Sequence, residues 1–244
     1  MTKQVTPRYA REVGTASWSA VFKARKNGAD WDELKTDTGL SALGRAVVDN
    51  EYLIVEELLK LGAPPIPVQL FNQNWFSPLW ASLEREESQI LYLLLKYNAN
   101  PNESHLEQDE LKPLHYASST RQIESTLFLC QFGAQVDGLD NPNSIPSFEI
   151  FEKTPTPIHR WVKQLASNFD DIRPFMELLQ KGANPTLPAP PHQNLWALVQ
   201  SEWKMILAQK NNHPQVGVAL SLLEKKMLEW ETPSGKEGKG SKRL

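Results

Sequence analysis

The sequence predicts an all-α protein, a solenoid of helix pairs that repeat along the chain. Three stretches each begin with a helix-opening tripeptide and end, 21 residues later, in a small-residue turn (41 to 62, 77 to 98 and 112 to 133). An opener at 156–159 and a turn at 182–184 form a fourth copy with five more residues between them. A single helix pair cannot bury its apolar face alone, so neighbouring pairs must stack.

The second repeat shows how each element arises. Pro78 stands where a helix begins, because its fixed φ suits the first turn and its missing N–H would be unpaired there. A polar break at 84–88 separates this helix from a largely apolar run at 90–95, which indicates a helix with neighbours on both sides. Asn98 then replaces glycine in the turn, since asparagine also tolerates the left-handed conformation that ends a helix.

These features together resemble the ankyrin repeat family. The opener motif occurs as Ser-Pro-Leu-Trp at 77–80, Lys-Pro-Leu-His at 112–115 and Thr-Pro-Ile-His at 156–159. The second-helix Leu-Leu pair occurs at 58–59, 93–94 and 178–179, and the Gly-Ala turn occurs at 62–63, 133–134 and 182–183. The resemblance implies that each repeat has a short first helix, a second helix and a β-turn finger.

The predicted ankyrin-type solenoid is one domain over residues 1–230, with enlarged fingers and degenerate terminal caps. Its approximate units are 6–38, 39–74, 75–109, 110–153, 154–190 and 191–230. We expect cap helices at 6–14 and 18–26 in the first unit and a helix at 216–230 in the last. Openers recur every 35 to 44 residues, against about 33 in the family, so a long exposed loop is expected at 135–153.

Composition and charge narrow the class of partner. The 244 residues carry a net charge of −3, and because the tail at 231–244 is basic, the remaining body has a charge of about −5. An acidic body argues against nucleic acid, since phosphate binding needs a basic surface. The tail lacks apolar periodicity and is predicted to be disordered. With no apolar run of 18 residues and no leader-like N-terminus, we expect no membrane association and a cytoplasmic protein.

Residues that often carry chemistry have structural explanations in this chain. His115 and His159 take the fourth position of the opener, where the resemblance implies that histidine ties adjacent turns together. Cys130 is the only cysteine and replaces a second-helix leucine, so we expect it to be buried. No histidine or cysteine spacing matches a zinc site, and no glycine-rich nucleotide motif occurs. We therefore predict no catalytic residues, no metal site and no cofactor.

Tryptophan is frequent, with eight in the chain. Trp80, Trp161 and Trp196 lie in first helices, where their size predicts packing in the core or between repeats. Trp75 and Phe76 instead precede an opener and lie on a finger. Aromatic residues are unfavourable in water and dominate binding hot spots. Two interpretations stay open: the aromatic pair binds a partner, or it packs beneath the enlarged finger.

The resemblance also implies a concave groove, lined by the fingers and by the exposed end of each first helix. By register, the candidate helix-end residues are Val48, Asp49, Glu84, Arg85, Ser119, Thr120, Lys163 and Gln164. Three residues near the openers should face the same groove: Arg45, Tyr116 and Arg160. This mixture of charged and aromatic side chains favours recognition of another protein.

The sequence therefore predicts a monomeric, non-enzymatic module that binds another protein through its fingers and groove. One alternative is a secreted bacterial effector that acts inside a host cell, with an enzymatic or enzyme-modulating activity in the divergent C-terminal region. His192, Glu202 and His213 are the residues in that region that could carry such an activity. Another alternative is a toxin-neutralising protein of the immunity type.

Overall fold

A computed structural model describes residues 6–105, 111–137, 156–167, 171–187, 192–208 and 214–231. These residues are mostly helical, as the sequence predicts, and include one short antiparallel hairpin. The chain divides into two compact units, residues 1–107 and 108–244. The single domain expected over 1–230 and its six approximate units stay predictions.

Unit 1 consists of three helix pairs and the hairpin. Its elements are α1 Ala10–Gly14, α2 Trp18–Lys26, α3 Ala42–Val48, α4 Tyr52–Lys60, β1 Val68–Gln69, β2 Trp75–Phe76, α5 Pro78–Glu84 and α6 Ser88–Lys96. The first helices α1, α3 and α5 pack side by side, and the second helices α4 and α6 pack behind them. Each first helix also packs on the second helix of its own pair.

Unit 2 repeats this arrangement with longer helices at its C-terminal end. Its helices are α7 Pro113–Ser119, α8 Ile123–Gln131, α9 Pro157–Ser167, α10 Arg173–Gln180, α11 Leu195–Glu202, α12 Lys204–Ala208 and α13 Pro214–Glu231. One layer contains α7, α9 and α11, and the other contains α8, α10 and α13. Two layers of helices around one apolar interior are what repeated amphipathic pairs require.

Side-chain caps and left-handed turns set the ends of the helices. Ser41 Oγ accepts a hydrogen bond from the Gly44 amide at 3.0 Å, and Ser77 Oγ accepts one from the Trp80 amide at 3.2 Å. Both bonds satisfy an N-terminal amide that has no partner within its helix. At the other end of a pair, Asn98 has a φ of 70° and takes the left-handed conformation predicted for it.

Second-helix leucines and large aromatic rings fill the interior. In unit 1, Leu58 and Leu91 are fully buried. In unit 2, the Phe175 and Trp203 rings lie 5.3 Å apart, and Trp203 Nε1 donates a hydrogen bond to Val162 O at 2.8 Å. Apolar burial between neighbouring pairs is therefore the main stabilising term in each unit.

Two of the three tryptophans in the predicted first helices are buried in the core. Trp80 and Trp161 are buried, as predicted. Trp196 is only half-buried, so it lies outside the buried core, and its packing between repeats stays a prediction. Trp203 takes the central position instead, because it follows α11 directly and its indole reaches back to α9.

Two predicted helices have different bounds. The cap helix expected at 6–14 begins only at Ala10, because residues 8 and 9 form a turn before it. The helix expected at 216–230 is α13, which is one to two residues longer at each end. Residues 138–153 of the predicted loop, tail residues 232–244 and His213 lie outside the described residues.

Both opener histidines lie in the core of unit 2, where the resemblance placed a structural role. His159 Nδ1 lies 2.7 Å from Thr156 Oγ1, and the Nε–H of Arg160 donates to His115 Nε2 at 3.2 Å. Burial, together with the adjacent Arg160 charge, lowers the pKa of His115 to about 3. Burial also lowers the pKa of His159 to about 4.

The hairpin packs on α3 without room for another methyl group. A Cβ added at Gly44 would lie 2.7 Å from Leu40 Cδ1 and 2.9 Å from Phe76 Cε1. Gly14, the last residue of α1, has no atom within 4 Å of the equivalent position. Glycine at 44 therefore serves the close approach of the hairpin rather than the helix itself.

We predict that Gly44→Ala lowers the free energy of unfolding by about 1–2 kcal/mol, because the added methyl group displaces the Phe76 and Leu40 side chains. Gly14→Ala is the matched control, and it should be neutral or stabilising by up to about 1 kcal/mol through helix propensity. Urea denaturation of both variants measures the difference. Equal stability of the two variants would contradict the described packing of Phe76.

We predict that stability falls in mild acid because of the two buried histidines. Folding lowers both pKa values, so stability is fully present above about pH 6.5 and is lost as the pH falls toward the folded values. Each histidine should remove about 1.4 kcal/mol per pH unit below pH 6.5. Urea denaturation at pH 7.5 and 5.5 measures the loss, and His115→Gln or His159→Gln should each remove part of it. An unchanged pH dependence in both variants would show that neither histidine is the cause.

Candidate functional site

The hairpin in unit 1 forms a finger with a defined register. Val68 pairs with Phe76 and Gln69 pairs with Trp75, and the Leu70 amide donates to Asn74 O at 2.7 Å to close the loop. Directly opposed residues of an antiparallel pair share a face, whereas consecutive residues point to opposite faces. Trp75 therefore shares a face with Gln69, and Phe76 shares the other face with Val68.

The register separates the two aromatic residues that the sequence places together. Trp75 is 53% exposed, whereas Phe76 is half-buried against Gly44 of α3. The two interpretations of the pair thus divide between its members: Phe76 packs beneath the finger, and for the exposed Trp75 the binding of a partner stays a prediction. A hydrogen bond from the Phe71 amide to Thr38 O, 2.9 Å long, holds the finger to the preceding one.

Ile66 is a second exposed apolar side chain on this finger, and the sequence reasoning missed it. It is 54% exposed and lies between the prolines that follow α4. Those prolines are the signal that could have revealed it. An isoleucine flanked by prolines does not lie within a helix, so it is not buried by the packing of helix pairs. The whole segment 63–76 also contains no charged residue.

An open pocket of about 320 Å³ lies beside these residues. Its walls come from the preceding finger, from the start of α3 and from segment 63–69. The lining residues are Trp31, Asp32, Lys35, Ser41, Leu43, Ala63, Pro64, Ile66, Pro67, Val68 and Gln69. Gln69 and Val68 both line the pocket, so the strand paired with Trp75 and Phe76 forms part of its wall.

The charges at the pocket are largely paired. Lys35 Nζ lies 2.6 Å from Asp32 Oδ1. The Arg25 guanidinium lies 4.8 Å from the centre of the Trp31 ring and donates a hydrogen bond to Ala29 O at 2.9 Å. The pocket is therefore mainly apolar, with Ser41 and Gln69 as uncharged polar residues and an ion pair whose Asp32 side chain is 90% exposed.

The predicted groove residues of unit 1 differ in their exposure and in their hydrogen bonds. Arg45 Nε donates to Asp49 Oδ2 at 2.6 Å, and Arg45 Nη1 donates to Gly14 O at 2.8 Å, so Arg45 ties α3 to α1. Val48 and Asp49 are half-buried, whereas Glu84 and Arg85 are exposed. Their role in binding stays a prediction.

In unit 2, the predicted groove position of one residue is wrong, and another predicted groove residue is hydrogen-bonded within the fold. Arg160 is 5% exposed and bonds to His115, so it does not face a groove as expected; α7 packs against α9 and covers it. Gln164 Nε2 donates to the Ser118 and Ser119 carbonyl oxygens at 2.7 and 3.1 Å, which links the two helices. Tyr116, Ser119 and Lys163 are partly exposed and Thr120 is exposed; for these four, binding stays a prediction.

Among the residues that the structure describes, no group of three or more His, Cys, Asp or Glu side chains could hold a metal ion. Cys130 is 1% exposed, and burial raises the pKa of its thiol to about 12, so it has little thiolate character. Glu202 is exposed and His192 is half-buried. No described helix is long and apolar enough to cross a membrane.

A second surface pocket, of about 400 Å³, lies in unit 2. It is formed by α8, α10 and α13, with Leu127 and Met176 on its walls and Val218, which is 61% exposed, at its rim. Charged side chains at its edge already have partners: Arg173 contacts Asp171 and Glu124. This pocket thus has fewer exposed aromatic anchors than the finger of unit 1.

No known family model matches the sequence, and no curated protein matches it either. Solved structures do match. An ankyrin repeat domain from Acinetobacter baumannii is 16% identical with a TM-score of 0.58, covering 90% of this chain and 95% of that chain. The ankyrin repeat domain of Bcl-3, a member of the IkappaB protein family, is 20% identical with a TM-score of 0.51, covering 82% and 86%.

A third solved structure, the ankyrin repeat protein EF0377, is 17% identical with a TM-score of 0.54. The match covers 85% of this chain and 99% of that chain. Identities this low carry information about the fold alone, and all three matches agree with the openers, turns and helix pairs described above. The chain therefore has the repeated helix-pair fold of the ankyrin repeat domains.

Proposed function

We propose that this protein is a non-enzymatic module that binds another protein, and that the Trp75 finger of unit 1 is its main contact. Ankyrin repeat domains are usually non-catalytic binding modules, which supports the general class. The observation that carries the proposal is the exposure of Trp75 and Ile66, each more than half exposed, on segment 63–76, which contains no charged residue; Ile66 also lines an open pocket.

The exposed apolar area is large enough to matter for binding. A fully buried tryptophan removes about 150–250 Å² from water, so covering the exposed half of Trp75 removes roughly 100 Å². At about 25 cal/mol per Å², this contributes about 2–3 kcal/mol to association. Tryptophan is also among the residues most enriched in binding hot spots.

The finger is held in place before any partner arrives. Phe76 packs into the space above Gly44, and the Phe71 amide bonds to the preceding finger. A partner therefore does not have to order this backbone, and the binding free energy is not reduced by that conformational entropy. Rigid fingers with variable tips are consistent with a recognition surface carried on a repeated scaffold.

We predict that Trp75→Ala abolishes capture of a specific partner from a lysate of the source cells, while leaving the helical circular dichroism spectrum unchanged. The loss of the indole should weaken the affinity by at least about thirtyfold, which corresponds to about 2 kcal/mol. Leu53→Ala is the matched control, because Leu53 is 71% exposed on α4, away from the finger. Affinity purification with quantitative mass spectrometry compares the three proteins.

A partner that the wild type and Trp75→Ala capture equally would move the site away from the finger. A partner lost from both the Trp75 and the Leu53 variants would indicate a nonspecific apolar effect. Absence of any captured protein would contradict the binding-module proposal itself.

A further inference from the structure

We infer that residues 99–105, which we call the latch segment, form a pH-sensitive latch on α5 that closes in mild acid and loosens as the pH rises. The inference goes beyond the proposed function and does not depend on the Trp75 finger. It rests on two titratable contacts, one at each end of α5: Glu103 contacts Ser77, and His105 contacts Glu84.

The latch segment follows α6 and has an ordered turn at its centre. Asn100 organises this turn, because its Oδ1 accepts a hydrogen bond from the Asn102 amide at 3.0 Å and its carbonyl oxygen accepts one from the Glu103 amide at 3.2 Å. The backbone at Glu103 is therefore fixed locally, and the side chain reaches α5 from a folded turn.

Glu103 places a carboxyl group in the interior. The residue is 9% exposed, Ser77 Oγ–H donates a hydrogen bond to the carboxylate, and Glu103 Oε1 has no hydrogen-bond partner among the described residues. Ser77 Oγ also accepts from the Trp80 amide, so this contact joins the latch segment to the N-terminal cap of α5. One hydroxyl donor does not replace the water that a carboxylate loses on burial, so the charged form is disfavoured.

Protonation of Glu103 therefore favours the closed latch. Burial raises the pKa of Glu103 above its ordinary value of 4.5, and the Ser77 hydrogen bond offsets part of this effect. Because the folded pKa is raised, the contribution of Glu103 to closure is fully present below pH 4.5 and is lost as the pH rises through the folded value.

His105 makes the second contact, at the C-terminal end of α5. Its Nε2 lies 3.3 Å from Glu84 Oε1, and its ring meets the Trp80 ring edge-on, with the centroids 4.7 Å apart. A protonated imidazole adds a charge attraction to the Glu84 carboxylate. The His105 side chain is only 15% exposed, so salt screens this attraction less than at an open surface. Acidification to about pH 5 thus strengthens both contacts.

No other charge near Glu103 opposes this effect among the described residues. The hairpin segment 63–76 that leads to Ser77 has no charged residue, α5 carries only Glu84, and α6 carries only Lys96 at its end. None of these charges, nor that of His105, contributes to the raised pKa of Glu103, whose causes are burial and Ser77.

The latch gives the predicted groove of unit 1 two states. Glu84 is one of the candidate groove residues, and in the closed state its carboxylate contacts His105. Opening removes His105 from Glu84 and from the edge of the buried Trp80 ring. The pH therefore sets the charge and the exposed apolar area that α5 presents at this end.

Amide protection factors of the full chain at pH 7.0 and 5.0 test the latch. A protection factor compares the observed exchange rate with that of an unstructured peptide of the same sequence, so the direct effect of pH on exchange cancels. We expect the latch segment to gain at least about threefold in protection on acidification, as linkage to the raised pKa requires. Unit 2 should lose protection over the same interval, because its buried histidines have lowered pKa values.

Glu103→Gln keeps the shape of the side chain and removes its titration. At pH 7.0, this variant should protect the latch segment at least about threefold more than the wild type does. The remaining pH dependence should disappear in the double variant Glu103→Gln/His105→Gln. Glu57→Gln is the matched control, because the Glu57 side chain is 54% exposed on α4 and contacts Lys60, and it should leave the latch segment unchanged.

Latch protection that is unchanged or lower at pH 5.0 would overturn the inference. Equal latch protection in Glu103→Gln and Glu57→Gln at pH 7.0 would also overturn it. Titration of the Glu103 carboxyl carbon by NMR in the wild type gives a check that needs no variant. We expect a midpoint above 4.5, and a midpoint at or below 4.5 would reject the latch.

Discussion

Burial of apolar side chains between neighbouring helix pairs is the constraint on which the rest of the structure depends. No pair has enough apolar interior of its own, so in unit 1 Leu58 of α4 and Leu91 of α6 are buried where these second helices pack on each other and on the first helices α3 and α5. Serine caps and left-handed turns then fix where each helix begins and ends. Because the helices carry the stability, the segments between them are free to vary, and segment 63–76 uses that freedom to present apolar side chains without any charge.

The finger links this scaffold to recognition through the alternation of a β-strand. Trp75 and Phe76 are neighbours in sequence, yet one is exposed and the other packs on α3, because consecutive strand residues point to opposite faces. The Phe76 ring fixes the finger on α3, and this contact also fixes the backbone that carries Trp75. Gly44 makes the close approach possible, since any larger residue at position 44 would meet the Phe76 ring. Stability and presentation of the surface thus depend on the same contact.

The fold could be predicted from the sequence because its signals recur in phase, and the openers, Leu-Leu pairs and turns each point to one periodic architecture. The candidate site could be predicted only in part. The register of the repeats correctly predicts that Trp75 lies on a finger. The same register predicts that Arg160 faces a groove, but α7 packs on α9 and Arg160 is buried. Periodicity did not reveal Ile66, because its exposure depends on the flanking prolines. It did not reveal Trp203 either, because that indole is buried by its contact with α9. Side-chain environment is a property of the packed neighbours, and a single repeat does not contain them.

Hydrogen–deuterium exchange of the protein with and without its captured partner shows directly whether the Trp75 finger is the main contact. The amides of Gln69 to Phe76 report on the finger. Pro64, Pro65 and Pro67 have no amide proton and give no signal. The account predicts that the partner slows exchange in segment 66–76 and in the preceding finger around Trp31 and Lys35. Protection confined to α8, α10 and α13, with no change in segment 66–76, would contradict it and would assign recognition to the apolar pocket of unit 2.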